Sequence, residues 1–287
     1  MPTMPTERLS DEQIARTAAY LAEVRERYGA NAVVHVQSLF GRCCLATLQR
    51  NPAWGALAAE AAGLAEDLVR QAPRDLDPLP LIEVGRMMKE SGGRTVGPLE
   101  QLLRRIAPEL ESQPLEIRSI GRVRHIASLL SQLGFPMATA RPSKDAASLL
   151  ADEASWATAP AVRLSEMADH LAADRSGLDE TATRLLVLIA LGELRNYRLD
   201  VGCKLLRTVL QLGVPCAEAQ DGVDFIALQR RRDGRYGFVD RLSEKPAAIA
   251  DPDLTLFLPL TLNAVWLFAI EAAGRTASAP ALIGGAA

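Results

Sequence analysis

Ionisable side chains are spread unevenly along the 287 residues. The densest mixed cluster reads ELRNYRLD, in which Glu193, Arg195, Tyr197, Arg198 and Asp200 follow one another closely. A carboxylate or phenol near a bound ligand can give or take a proton, and a guanidinium can hold an oxyanion, so this set suits acid–base chemistry without a metal. A second cluster lies on IRSIGRVRHI. At helical spacing Arg118, Arg122 and His125 fall within roughly 60° of one another and form one basic face. Glu193, Tyr197, Asp200 and His125 are therefore the candidate catalytic groups, with Arg118, Arg122, Arg195 and Arg198 as candidate ligand contacts. If the helix runs on through Leu199, Glu193, Tyr197, Asp200 and Lys204 share a face. A break there instead makes Asp200 an N-cap and puts the patch at a hairpin tip. The competing reading is a solvated face in which Asp200 and Lys204 form an ordinary i, i+4 pair.

Other chemistries find less support. A zinc site needs three or four His, Cys or carboxylate ligands converging at about 2 Å. His35, His125 and His170 are isolated, and His35 stands eight and nine residues before Cys43 and Cys44, so no metal is expected. The four cysteines, Cys43, Cys44, Cys203 and Cys216, make no CxxC pair and read as buried reduced thiols in a cytoplasmic protein. Arg230, Arg231, Arg232 and Arg235 are the densest basic run. They suit a helix C-terminus, or a phosphate or carrier-protein contact. Nucleic-acid binding would want a broader basic surface with stacking aromatics, whereas the net charge is −3. No glycine-rich phosphate loop, dinucleotide fingerprint or nucleophile elbow occurs, so no cofactor is expected.

The elements that must position these groups are helical. Ser10 and Gln13 are spaced as a capping box ahead of Ile14, Ala18, Leu21 and Val24, with Gly29 as the stop. Amphipathic stretches follow at 31–49, 54–72, 78–91, 97–110, 114–133, 143–154, 162–173, 179–196, 200–213, 216–231 and 254–273, with no convincing strand. IASLLSQLGFP, from Ile126, aligns with LLRTVLQLGVP, from Leu205, 79 residues later. Each copy ends in Gly-x-Pro, either as a true repeat or as a common helix stop. The fold expected is all-α, repeated helical hairpins stacking as an α/α toroid or partial toroid of about twelve helices. It would occupy 11–274 as one domain, between flexible ends at 1–10 and 275–287. The uncharged run 254–270 holds Pro259 and Asn263 and is short for a membrane span, so a buried helix is expected there. The N-terminal residues carry no basic leader followed by an apolar stretch, and no signal or anchor is expected.

The segment DFIALQRRRDGRYGF places Gln229, Asp233, Gly234, Tyr236 and Gly237 in a Q-x-x-x-D-G-x-aromatic-G pattern. This resembles a structural element of the α/α-toroid superfamily, which includes terpenoid cyclases and protein prenyltransferases. The resemblance implies a staple in which the glutamine ties a helix end to the turn, glycine permits the turn and the aromatic ring packs over it. More broadly, 193–237 is similar to all-helical bacterial domains that accompany secondary-metabolite genes. No D-x-D-D or D-D-x-x-D signature is present, and aromatics are only 5% of the chain, few for guiding a carbocation. The leading expectation is a protein that binds a small-molecule or carrier-protein-bound substrate in bacterial natural-product biosynthesis, with metal-free cyclising or tailoring activity. The alternatives are a non-catalytic helical scaffold for a protein partner and a terpenoid-cyclase-like enzyme. Neither nucleic acid nor a membrane is an expected partner.

Overall fold

The computed structural model describes residues 9–29, 31–48, 120–135, 161–173, 179–213, 216–237 and 251–278, with single helical positions at 79, 82, 101 and 104. Among these residues the chain is all-α, with eight α-helices, one π-helical turn and no strand. In chain order they are α1 (Asp11–Arg27), α2 (Ala32–Leu48), α3 (Ile120–Gln132), α4 (Ala161–Ala173), α5 (Glu180–Arg195), α6 (Leu199–Leu212) and α7 (Ala217–Leu228). The π-turn Asp253–Phe257 then leads into α8 (Leu258–Ser278). The expected helices at 54–72, 78–91, 97–110 and 143–154 lie outside the described residues apart from those single positions.

Local chemistry sets the helix ends. The capping box forms: Gln13 N donates to Ser10 Oγ (3.3 Å) and Ser10 N to Gln13 Oε1 (2.9 Å), together satisfying two of the orphan amides at that terminus. α1 stops at Tyr28 rather than through a left-handed Gly29. α5 is capped by Asp179, whose Oδ1 accepts from Ala182 N at 2.7 Å. α7 ends at Leu228, three residues before the expected 231, because Arg230 leaves the helix to form a β-bridge with Tyr236. Both copies of the sequence repeat end on a left-handed glycine, Gly134 (φ 93°) and Gly213 (φ 72°). In the first copy Phe135 N donates to Leu130 O and Gly134 N to Ser131 O, the paired bonds that close a helix on such a residue.

α6 is the centre of the packing. α4, α5, α7 and α8 all lie against it, and Leu205, Leu206 and Val209 are completely buried. α8 packs on both α6 and α2, α1 packs on α2, and α3 packs on α4. At the junction of α2, α6 and α8 the Phe40 and Trp266 rings meet edge to face at 5.1 Å. The Arg207 guanidinium lies 3.8 Å above the Trp266 ring and donates to Asn263 Oδ1 at 2.6 Å; such stacking contributes about 0.5–2 kcal/mol. The apolar run expected as a buried helix is buried, with Val265 and Leu267 wholly enclosed. Asp253–Gly274 is long and apolar enough to cross a membrane by length and composition, and 67% of its most apolar window is buried against the rest of the chain.

Candidate functional site

Three helices converge on one buried polar cluster. α3 supplies His125, α4 supplies Asp169 and Ser165, and α6 supplies Lys204. Asp169 is only 3% exposed. His125 Nδ1 lies 3.2 Å from Asp169 Oδ1, while Lys204 Nζ donates to Asp169 Oδ2 at 2.6 Å and to Ser165 Oγ at 2.7 Å. Burial by itself pushes the Asp169 carboxyl up. The His125 hydrogen bond and the Lys204 charge outweigh it and hold the group below the ordinary carboxylate range. A carboxylate facing Nδ1 fixes the proton there in a neutral imidazole and leaves Nε2 with its lone pair. Nε2 of His125 makes no hydrogen bond among the described residues. An imidazole oriented by a carboxylate at Nδ1 is an arrangement that can accept and return a proton at Nε2.

The ELRNYRLD patch takes a different form from the continuous helix considered above. The chain breaks between α5 and α6, so Glu193, Tyr197, Asp200 and Lys204 do not share one helix face. Nor is Asp200 the N-cap: Arg198 takes that position without a side-chain cap, and Asp200 sits in the first turn of α6. α5 closes by Tyr197 N donating to Leu194 O (3.0 Å) and Arg198 N to Glu193 O (2.9 Å). Tyr197 therefore occupies the left-handed position (φ 59°) that glycine normally fills. Its side chain is 47% exposed, and Arg195, Arg198 and Asp200 are exposed beside it. Glu193 is buried, its Oε2 3.2 Å from Arg198 Nη1 but too poorly aligned for a hydrogen bond.

The candidate residues thus divide into two groups joined by α6. Lys204 follows Asp200 by one helical turn, about 6 Å of rise, so the exposed tip lies directly above the buried cluster along the helix. His125 faces inward to Asp169 and is 7% exposed, not on an open basic face. Arg118 lies outside the described residues, as does the side chain of Arg122, whose backbone belongs to α3. Sequence reasoning missed Asp169 and Ser165. The signal was a carboxylate set among Leu164, Ala168 and Leu171, the buried face of α4, where an acid needs a cationic partner.

The Gln229–Gly237 segment forms a bridged hairpin wedged between α1 and α8. Gln229 closes α7, and its Nε2 donates back to Phe225 O at 3.1 Å, so the side chain serves its own helix end. The turn is tied instead by backbone, with Gly237 N donating to Gln229 O and Arg231 N to Arg235 O. Asp233 Oδ1 accepts from Arg235 N, and its Oδ2 accepts from Nη2 at 2.6 Å. Partial burial raises the Asp233 carboxyl, but these Arg235 contacts hold it below the usual value. Gly234 (φ 88°) lies flat on α1, where Thr17 Oγ1 donates to its carbonyl at 2.9 Å. Tyr236 is buried, its N donates to Thr261 Oγ1 and its ring packs on Phe268. No group of three His, Cys, Asp or Glu side chains placed to hold a metal ion occurs among the described residues. Comparison with protein-family models, curated proteins and solved structures finds no match to this chain.

Proposed function

We propose that this protein binds a small-molecule or carrier-tethered intermediate and performs acid–base chemistry on it. His125 is the proton-transfer group, Asp169 and Lys204 hold it in position, and the Glu193–Asp200 tip contacts the ligand. The observation that carries the reading is the His125–Asp169–Lys204 cluster, in which a buried carboxylate orients an imidazole whose Nε2 makes no described hydrogen bond. Tyr197 adds support, because a bulky residue held in a left-handed turn conformation costs about 1–2 kcal/mol and such strain concentrates at functional positions. An α/α toroid or partial toroid is proposed as the architecture, supported by the matched glycine stops of α3 and α6. The setting in natural-product biosynthesis, and a cyclising or tailoring reaction, rest on the resemblance of 193–237 alone.

A helical scaffold is the second reading, favoured by the filled interior around α6. A pathway reconstituted from the products of neighbouring genes separates the two, with products followed by mass spectrometry. Acid–base catalysis predicts that His125→Gln slows product formation about 100-fold or more while circular dichroism stays that of the wild type. Turnover that needs the chain yet ignores His125→Gln overturns the catalytic reading and leaves the scaffold.

A further inference from the structure

The basic run read in the sequence as one cluster divides in the folded chain. Arg235 is fully engaged, gripping Asp233 with Nε and Nη2 and reaching Asp253 Oδ1 with Nη1 at 3.0 Å. Arg230, Arg231 and Arg232 instead line a cavity of about 170 Å³ together with Arg16 and Glu12 of α1. Glu12 pairs with Arg16, and Arg16 Nη1 also donates to Arg232 O at 3.1 Å, fixing the hairpin against α1. The guanidiniums of Arg230 and Arg232 have no ion pair or hydrogen bond among the described residues. Arg231 Nε is screened from solvent and makes no hydrogen bond, with Asp233 Oδ2 standing 3.7 Å away.

Four arginines and one glutamate therefore line a concave space, and two of the arginines, Arg230 and Arg232, have no ion pair among the described residues. Like charges gathered around one space repel unless an anion sits among them. Guanidinium forks match the oxygen spacing of a phosphate. Two of the amides at the α1 N-terminus, those of Ser10 and Gln13, are already taken by the capping box, so the arginines carry the attraction for an anion. Size narrows the occupant: drug-sized ligands need about 300–1,000 Å³, so this space suits a small anion or the phosphate end of a longer molecule. We propose that the Arg230–Arg232 cleft binds a phosphate group. The site is separate from the His125 cluster and does not depend on it.

Calorimetric titration of inorganic phosphate into the full chain at constant ionic strength tests this, with sodium chloride as the competing salt and glycerol 3-phosphate as a second ligand. Saturable phosphate binding is expected, weakened ten-fold or more in Arg230→Gln/Arg232→Gln and unchanged in Arg184→Gln, a surface arginine paired with Glu218 on α7. Glycerol 3-phosphate binding as tightly as phosphate identifies a phosphate monoester as the ligand. A ten-fold preference for inorganic phosphate identifies the free ion. Should the double variant unfold, Arg232→Gln alone replaces it, with at least a three-fold loss expected. Wild-type chain that takes up no phosphate beyond the chloride baseline, or folded variants that bind like wild type, overturns the proposal.

Discussion

Replacing Asp169 with asparagine keeps the shape of the side chain and removes the charge that Lys204 and His125 share. One carboxylate oxygen becomes an amide donor and must face either the Lys204 ammonium or the His125 ring N–H. Taking one partner from a buried charge pair costs about 3–5 kcal/mol. Lys204 keeps its bond to Ser165, and its side chain is 19% exposed, which places the expected loss near the lower end, about 3 kcal/mol. For a chain of this size that is a fall in Tm of roughly 6–12 °C. Urea unfolding followed by circular dichroism measures it directly. Because the folded Asp169 carboxyl lies below its unfolded value of about 3.9, its stabilisation is complete above about pH 4 and is lost as pH falls through the lower folded value. The gap between wild type and Asp169→Asn should accordingly narrow as pH falls below about 4. Removing both charges in Asp169→Leu/Lys204→Met should cost less than Asp169→Asn alone, since no buried ammonium is left unpaired. Stabilities within about 0.5 kcal/mol at pH 7, the ordinary scatter of surface substitutions, or a gap that does not change with pH would refute the assignment of this cluster.

Three further outcomes follow from the backbone and the thiols. Gly234→Ala places a Cβ 2.5 Å from the Arg16 carbonyl carbon at φ 88°, so it should destabilise by about 3 kcal/mol or more, overpacking and strain acting together; an unchanged urea midpoint would remove the hairpin from α1. Tyr197→Gly relieves the left-handed strain and should raise stability by about 1 kcal/mol while weakening turnover in the reconstituted pathway. A loss of stability would show that the ring's contacts outweigh the strain. Cys43, Cys44 and Cys203 are buried and burial pushes the Cys203 thiol up to about 12, so native chain at pH 8 should give one fast-reacting thiol per molecule, Cys216, identified by peptide mass mapping. Two or more fast thiols would mean the core opens readily.

The all-helical class, the capping box and most helix limits were legible in the sequence because they follow from chemistry within a few residues. Apolar spacing sets the buried face, Ser10 and Gln13 cap each other, and Gly134 and Gly213 stop their helices whatever surrounds them. The candidate site was legible only in part. Tyr197 and Glu193 were visible as a dense patch, but the break after Arg195 depends on α5 and α6 folding back on each other. That break determines which of the charged residues share a face. His125, Asp169 and Lys204 are 44 and 35 residues apart, and only the packing of α3, α4 and α6 makes them partners. The Arg230–Arg235 run shows the same division: composition revealed the charge, while the hairpin closed by the Arg230–Tyr236 bridge set Arg235 on two carboxylates and Arg230, Arg231 and Arg232 along a cavity. Spacing along a chain encodes its elements, whereas charge pairing depends on distances through space that the packing of those elements creates.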